Sequence, residues 1–349
     1  MKILVVQPNF AVYGGAELVI IRLCNYLSSK NIENTLISNN ILPDIRRDLK
    51  STEIIISNDI IKYIKENLDV YDLINLHNHP AELFLYPQKK KSIWNCNEPA
   101  TPILMGQSPP EEWIKAVQEI NKIIVSDQFN KERIEKVYKV KNCIINRYGI
   151  DYDFWSPKLN KEELRSKYNL DGFIIIHIGW FNEFKNQIQT LKAINSLKNI
   201  MPDIKVIFAG FNKTPLALDC MKYAIDNNLE NNVIFTGHIN RRTLREYVSC
   251  SDLAVFPFLK QGGWLSPFET LSAGVPVIAS SEILCADLIR DNDLGEISDN
   301  LEKSILSFRA KNKDILLDKV KKAKDYISKN MTWEQYCENE LNIFKEILQ

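Results

Sequence analysis

The densest group of residues able to do chemistry is Gln261-Gly262-Gly263-Trp264-Leu265-Ser266-Pro267-Phe268-Glu269. The apolar segment Leu253–Phe258 precedes it and is short enough for a buried parallel strand. The glycine pair removes two Cβ atoms, so backbone and ligand can approach closely. Ser266 suits an N-cap and Pro267 the first helical position. A helix is therefore expected to open there and to stop at Gly274, before a strand at Val275–Ala279. Strand, glycine bend and helix N-terminus together make the anion-binding end of an open α/β sheet. Backbone N–H groups and the positive helix end point beyond the carboxyl ends of the strands. The chemistry on offer is the binding of a phosphate-bearing ligand. Glu269 admits two readings, because Ser266-Pro267-Phe268-Glu269 also fits a capping box whose carboxylate returns to the Ser266 N–H.

Other positions carry weaker signals. Lys185 follows the apolar run Phe173–Gly179 and a short loop, Trp180–Phe184. Gly14-Gly15 lies after the first apolar run, at the start of an amphipathic segment, and no third glycine completes a G-x-G-x-x-G dinucleotide fingerprint. Gly210 and Gly237 end consecutive apolar runs, Lys205–Ala209 and Asn232–Thr236, and read as turn glycines. His77 and His79 stand two apart after Leu73–Leu76, but no carboxylate or cysteine supports them at metal-ligand spacing. Asn97 follows Ser92–Cys96 and cannot act as a base near neutral pH. Asp151-Tyr152-Asp153 and Asp291-Asn292-Asp293 each read D-x-D, yet neither follows a buried strand, so both are read as acidic loops. Lys89-Lys90-Lys91 reads as a solvated edge, with contact to anionic head groups as the alternative.

The elements that must position these residues repeat a simple pattern. Apolar runs alternate with helical patterns, which implies βαβ units and parallel sheets. In the first half, strands are expected at Ile3–Val6, Thr35–Ser38, Glu53–Ile56, Leu73–His77, Ser92–Cys96, Lys122–Ser126 and Cys143–Arg147. Helices are expected at Glu111–Ile120 and Lys131–Tyr138. The pattern breaks around Gly149-Ile150-Asp151, and a second α/β series follows. The 349 residues suit two domains, placed at 1–150 and 151–331, with a terminal helix beyond. Lys and Arg number 44, as do Asp and Glu, which offers nothing to nucleic acid. Seven scattered cysteines without a C-x-x-C pair fit reduced thiols in a cytoplasmic protein. No apolar run approaches the ~20 residues of a membrane span.

The stretch Gln261–Ser280 resembles the signature of retaining glycosyltransferases of family 4, which have the GT-B fold. In that signature a Glu, seven residues and a second Glu lead into a small-residue helix and Gly-x-Pro-Val; Gln261 stands at the first Glu and Glu269 at the second. The resemblance implies two Rossmann-like parallel-sheet domains facing across a cleft, with helix 332–349 packing back on the first. It also implies transfer of a hexosyl unit, with retention, from a UDP- or GDP-sugar to a glycan or lipid-linked acceptor. Polysaccharide or glycolipid assembly at the inner face of a membrane is the setting it implies. Donor binding would fall to Gly14, Gly15, Lys185, Gly210, Gly237, Gln261, Gly262, Gly263, Leu265, Ser266 and Glu269, with Glu269 on the ribose and Lys185 on the diphosphate. His77, His79 and Asn97 would lie on the acceptor side, and Lys185, Gln261, Glu269 and Asn97 nearest the chemistry. No cofactor or essential metal is expected. Trp180 replaces the family's arginine, Gln261 its first Glu, and Asn97 a histidine that many members carry. Those departures motivate one alternative, a non-catalytic nucleotide-sugar or glycan-binding partner of a transferase; a GT-B nucleotide-sugar epimerase is a second rival, which would need carboxylates and histidines in the cleft.

Overall fold

Short runs dominated by Ile, Leu and Val become parallel strands here because helices cover both sheet faces, which removes the usual alternation with polar residues. The computed structural model describes residues 1–11, 14–97, 99–104, 106–259, 263–311 and 313–349. It divides into two units, Met1–Gly149 with Trp333–Gln349, and Ile150–Thr332.

Among the described residues, the first unit holds a seven-stranded parallel sheet: β1 (Lys2–Val6), β2 (Glu33–Ser38), β3 (Glu53–Ile56), β4 (Leu73–His77), β5 (Ser92–Asn95), β6 (Lys122–Val125) and β7 (Cys143–Ile145). Their spatial order is β3-β2-β1-β4-β5-β6-β7. Trp94, Leu76, Ile123 and Tyr138 centre a core on this sheet, and all are buried. The helix Trp333–Leu348 closes the unit through Tyr336, Cys337, Leu341 and Phe344, which recur at helical spacing and are buried. It packs on the helix Gly15–Ser29, and Tyr26 donates a hydrogen bond to Glu338 across that contact.

The second unit holds a six-stranded sheet among its described residues: β8 (Phe173–Ile178), β9 (Ile204–Ala209), β10 (Val233–Gly237), β11 (Leu253–Phe256), β12 (Val277–Ala279) and β13 (Glu296–Ile297). The order β10-β9-β8-β11-β12-β13 puts β9 on one side of β8 and β11 on the other. The connection from β8 runs to β9 on one side and the chain returns from β10 to β11 on the other, so the crevice beyond the carboxyl end of β8 is where open α/β sheets take ligands.

Several strands end earlier than their apolar runs. β11 stops at Phe256, where the Pro257 carbonyl instead accepts from Asn186 Nδ2 at 3.0 Å. β12 begins at Val277, beyond Pro276, which has no N–H for the ladder. The two-residue β13 was not anticipated. Expected helices shift as well: one spans Glu111–Gln118 and the other starts earlier, at Gln128, where Asp127 caps the Asn130 N–H at 2.7 Å. Among the described residues, no helix is long and apolar enough to cross a membrane.

Candidate functional site

In the first unit, polar side chains collect at the carboxyl ends of the strands. A chain of amides runs from Gln7 after β1, through Asn78 after β4, to Asn97 after β5. Asn78 Nδ2 donates to Gln7 Oε1 at 3.0 Å, and Asn97 Nδ2 donates to Asn78 Oδ1 at 2.9 Å. The Tyr148 hydroxyl then donates to Asn97 Oδ1 at 2.7 Å, tying in the end of β7. The two histidines differ sharply. His77 is fully buried in β4, and burial lowers its imidazole to about 3, so it stays neutral. His79 is partly exposed, lies 4.8 Å from the Trp113 ring, and pairs through Nδ1 with buried Glu82 at 2.7 Å. That hydrogen bond fixes the orientation of its ring. The Gly14 N–H donates to Glu17 Oε2 at 3.0 Å, and Gly15 opens the helix Gly15–Ser29. Glu17 thus acts on the glycine turn directly, through its carboxylate.

Behind the amides lies buried Glu340 on the terminal helix. The Tyr336 hydroxyl donates to its Oε1 at 2.8 Å, and burial raises its carboxyl to about 7 against the hydrogen bonds of Tyr336, Asn95 and Asn146. A carboxyl raised by folding binds its proton more tightly in the folded chain. Its stabilising contribution is full below the ordinary 4.5 and is lost as pH rises through about 7. Glu340→Gln is expected to raise the thermal midpoint above pH 7 by roughly 5 °C and to change it little near pH 4.5. Melting curves of both proteins across that range check this.

In the second unit, backbone hydrogen bonds align the strand ends. The Gly179 N–H donates to the Ala209 carbonyl at 3.0 Å, Gly210 N–H to Gly237 at 3.1 Å, and Phe181 N–H to Phe211 at 3.0 Å. Gly210 is glycine for a steric reason: a Cβ there would sit 2.1 Å from the Gly179 carbonyl oxygen. Lys185 runs across Gly179, with its methylenes 3.2 Å from where a Gly179 Cβ would stand. Its N–H donates to Asn182 Oδ1 at 2.9 Å, and the neighbouring Phe184 carbonyl accepts from Leu259 N–H at 2.8 Å, anchoring the loop to the segment after β11.

The Phe258 ring joins this loop to the glycine bend. Lys185 Nζ lies 4.0 Å from its centroid, and a Cβ on Gly263 would come within 2.4 Å of the same ring. Gly263 has φ +98°, so glycine is needed there for its backbone as well. Gln261 and Gly262 lie outside the described residues.

The capping-box reading of Glu269 does not hold. The helix spans Leu265–Ser272 with Trp264 before it, so Ser266 is the second helical residue rather than the cap. Pro267 falls in the first turn, where its missing N–H costs nothing. Gly274 follows the helix in the left-handed region, φ +90°, as expected of a stop. Glu269 points instead to Trp155 Nε1, which donates to it at 3.1 Å, and to Arg241, 3.4 Å away. Arg241 also pairs with Asp151 at 2.8 Å and lies over the Phe154 ring at 4.8 Å. Asp151 is therefore half of an ion pair opening the short helix Tyr152–Trp155, not a loose acidic loop. Burial raises the Glu269 carboxyl, while the Arg241 guanidinium acts to lower it. Asp293 remains a surface residue, paired with Lys319 at 2.7 Å.

Residues 160–333 match the model of the family described as glycosyl transferases group 1. The chain carries a group 1 glycosyltransferase domain. Protein CapJ of Staphylococcus aureus is 26% identical over 224 residues, covering 61% of this chain and 56% of CapJ. The UDP-Gal:alpha-D-GlcNAc-diphosphoundecaprenol alpha-1,3-galactosyltransferase of Escherichia coli is 26% identical over 138 residues, 38% of this chain and 35% of that protein. The chain thus matches about half the length, or less, of such curated relatives. The structure of Anabaena Alr3699/HepE in complex with UDP-glucose superposes with a TM-score of 0.84 at 14% identity, covering 99% of this chain and 100% of that one. At that identity the likeness establishes the fold, GT-B.

Lys185, Gly210, Gly237, Gly263, Leu265, Ser266 and Glu269 all lie in the group 1 domain, Gly210 and Gly237 at the carboxyl ends of their strands and the others in the loops and helix that follow β8 and β11. Trp155, which donates to Glu269, and Asp151, which pairs with Arg241, precede the family match. The sequence reading missed these and Arg241. One signal was available for Arg241. It is the first residue of the helix Arg241–Cys250, where the dipole disfavours a cation, so its presence there calls for nearby carboxylates.

Proposed function

We propose that the protein is a retaining glycosyltransferase moving a hexosyl unit from a UDP- or GDP-sugar to a glycan or lipid-linked acceptor. The observation that carries this reading is the convergence of Lys185 and Gly263 on the Phe258 ring at the end of β11, with the Leu265–Ser272 helix immediately after. A cation, a close-approach glycine and a helix N-terminus suit a diphosphate. Glu269 would accept hydrogen bonds from the ribose hydroxyls, and the turns at Gly210 and Gly237 would line the base. On this reading Gln261 and Gly262 complete the donor loop, Gly14 and Gly15 belong to the diphosphate side, and His77, His79 and Asn97 to the acceptor side. His79 is the better placed histidine, being the exposed one.

Catalysis would rest on positioning and on the departing diphosphate. As the C1–O bond to phosphate breaks, Lys185 offsets the charge that develops on the leaving oxygen. The acceptor oxygen bonds to C1 on the same face, and its proton passes to the departing phosphate. No protein nucleophile or metal is needed in this scheme. The diphosphoundecaprenol-linked acceptor named for the Escherichia coli relative supports a lipid-linked acceptor, and cell-surface polysaccharide assembly at the cytoplasmic face of a membrane would be its setting.

Thermal unfolding against UDP-, GDP- and ADP-sugars tests the donor site, since a ligand of the folded state must raise the midpoint. At a ligand concentration of 100 Kd the stabilisation is about 2.7 kcal/mol. A shift with one nucleotide class, lost in Glu269→Ala and Lys185→Ala, is expected. The absence of any shift would reject the donor site, and binding without turnover would point to a non-catalytic partner instead.

A further inference from the structure

In the sheet of the first unit, β2 and β3 lie on one side of β1, and the chain returns to β4 on the other. The topological switch falls between β1 and β4, where an open α/β sheet takes ligands beyond the carboxyl ends of its strands. The amide chain crosses that place: Gln7 follows β1, Asn78 follows β4 and Asn97 follows β5. Its hydrogen bonds run one way, from the Tyr148 hydroxyl through Asn97 and Asn78 to Gln7, whose Nε2 donates to the Asn9 carbonyl at 3.0 Å. These bonds leave each of the three amides with one further N–H and one further oxygen lone pair. Asn78, His79 and Asn97 are half-buried, held yet open to solvent. The segments 7–10, 39–42, 78–80 and 96–100, which follow β1, β2, β4 and β5, contain no Lys or Arg. Arg133, on the helix Gln128–Tyr138 after β6, lies over the Phe129 ring at 4.4 Å and donates to Asn130 at 3.5 Å. Neutral groups that both donate and accept match hydroxyls, whereas a phosphate calls for cations or for several N–H groups aimed together.

Beside this chain stands the pair of His79 and Glu82. Glu82 lies in the short turn Ala81–Leu83 and is fully buried, an arrangement that is costly for a carboxylate unless it is paired. Its Oε1 meets His79 Nδ1 at 2.7 Å, and its Oε2 has no hydrogen-bond partner among the described residues. An ionised carboxylate can only accept, so Nδ1 carries the proton and the neutral ring presents Nε2 as an acceptor. The Trp113 ring, 4.8 Å away, packs against the imidazole. We propose that the crevice between β1 and β4 is the acceptor subsite for an uncharged sugar, whose hydroxyls meet the amide chain and His79 Nε2, and that Glu82 is a positioning residue that fixes the tautomer of His79. This rests on the acceptor-side reading and adds to it the class of group held and the residues Gln7, Asn78 and Glu82.

NMR of the imidazole nitrogens reads the tautomer, and His79→Gln assigns the signals, since the sequence holds four histidines. In the neutral ring of His79 the proton is expected on Nδ1. N-Acetylglucosamine and the methyl glycosides of glucose and galactose are expected to shift the His79 Nε2 signal saturably, and their phosphate monoesters to bind no tighter. Glu82→Gln offers Nδ1 a donor as well as an acceptor, so it should mix the tautomers and weaken sugar binding about tenfold, the worth of one hydrogen bond. An Nε2–H tautomer in the wild type, tighter binding of the phosphate monoesters, or unchanged sugar affinity in Glu82→Gln would overturn the inference. The wild-type tautomer and selectivity decide the matter even where Glu82→Gln fails to fold. A His79 response to UDP-glucose but to no free sugar would assign the crevice to the donor hexose and overturn the acceptor subsite. Thermal unfolding with nucleotide-sugars separates the failures: a thermal shift without any His79 response to sugars overturns this inference alone, and the absence of both brings down the donor site with it.

Discussion

Lys185→Ala is expected to lower kcat for hexosyl transfer by roughly 10²–10³-fold, the usual cost of removing one preorganised group that stabilises developing charge. The effect should fall on kcat more than on KM, because charge on the leaving oxygen grows only as the glycosidic bond breaks. The protein should remain folded, since a contact such as that of Nζ with the Phe258 ring is worth only about 0.5–2 kcal/mol. Lys185→Arg keeps the charge but replaces a compact ammonium with a planar fork, and should recover only part of the rate. Steady-state kinetics with the donor found by thermal shift decides the matter. A Lys185→Ala enzyme within a few-fold of wild type would remove this residue from the mechanism.

Gly210→Ala is expected to destabilise the second unit strongly. The added Cβ would stand 2.1 Å from the Gly179 oxygen, 2.5 Å from its carbon and 3.1 Å from the Trp180 nitrogen. All three are backbone atoms, and each strand end is hydrogen-bonded to its neighbour, so nothing flexible can yield. Forced overpacking of this kind costs about 1–3 kcal/mol and sometimes more. Gly14→Ala is the contrast, because its Cβ would meet only the far end of the Glu17 side chain, at 3.1 Å. Denaturant titration of the two variants should show a clear loss of midpoint for Gly210→Ala and little for Gly14→Ala. Since Gly179 carries Trp180 and lies under Lys185, nucleotide-sugar binding should weaken in Gly210→Ala as well.

The sheets were legible because their strands are buried on both faces and read as unbroken Ile, Leu and Val runs. What the runs concealed was where the ladder stops. Cys143–Arg147 reads as one strand, yet β7 ends at Ile145; the Asn146 N–H still donates to the Val125 carbonyl at 2.9 Å, while its side-chain amide donates to the Tyr336 carbonyl at 3.0 Å. That partner lies in the last helix and leaves no local trace. The position of Glu269 was legible as a motif, while its surroundings were not. A capping box is a pattern of near neighbours, and the partner found, Trp155, is more than a hundred residues away in sequence. Glu340 left a trace that could have been used. It sits on the stripe that carries Tyr336, Cys337, Leu341 and Phe344, and a carboxylate on an apolar stripe implies a buried polar partner.

The return of residues Trp333–Gln349 to the first unit has a consequence for how the protein is made. On the ribosome the seven strands of the first sheet emerge before the second unit, but the helix that supplies Tyr336, Phe344 and Glu340 emerges only after it. Until then the Gly15–Ser29 helix lacks its packing partner, and Asn146 lacks the Tyr336 carbonyl. The usual order, in which an amino-terminal domain completes itself while the rest is still in synthesis, is not open to this chain. A fragment ending at Gly149 would carry the seven described strands of the first sheet and still show an apolar scar, and chaperone binding to the nascent chain should persist until Trp333–Leu348 has emerged.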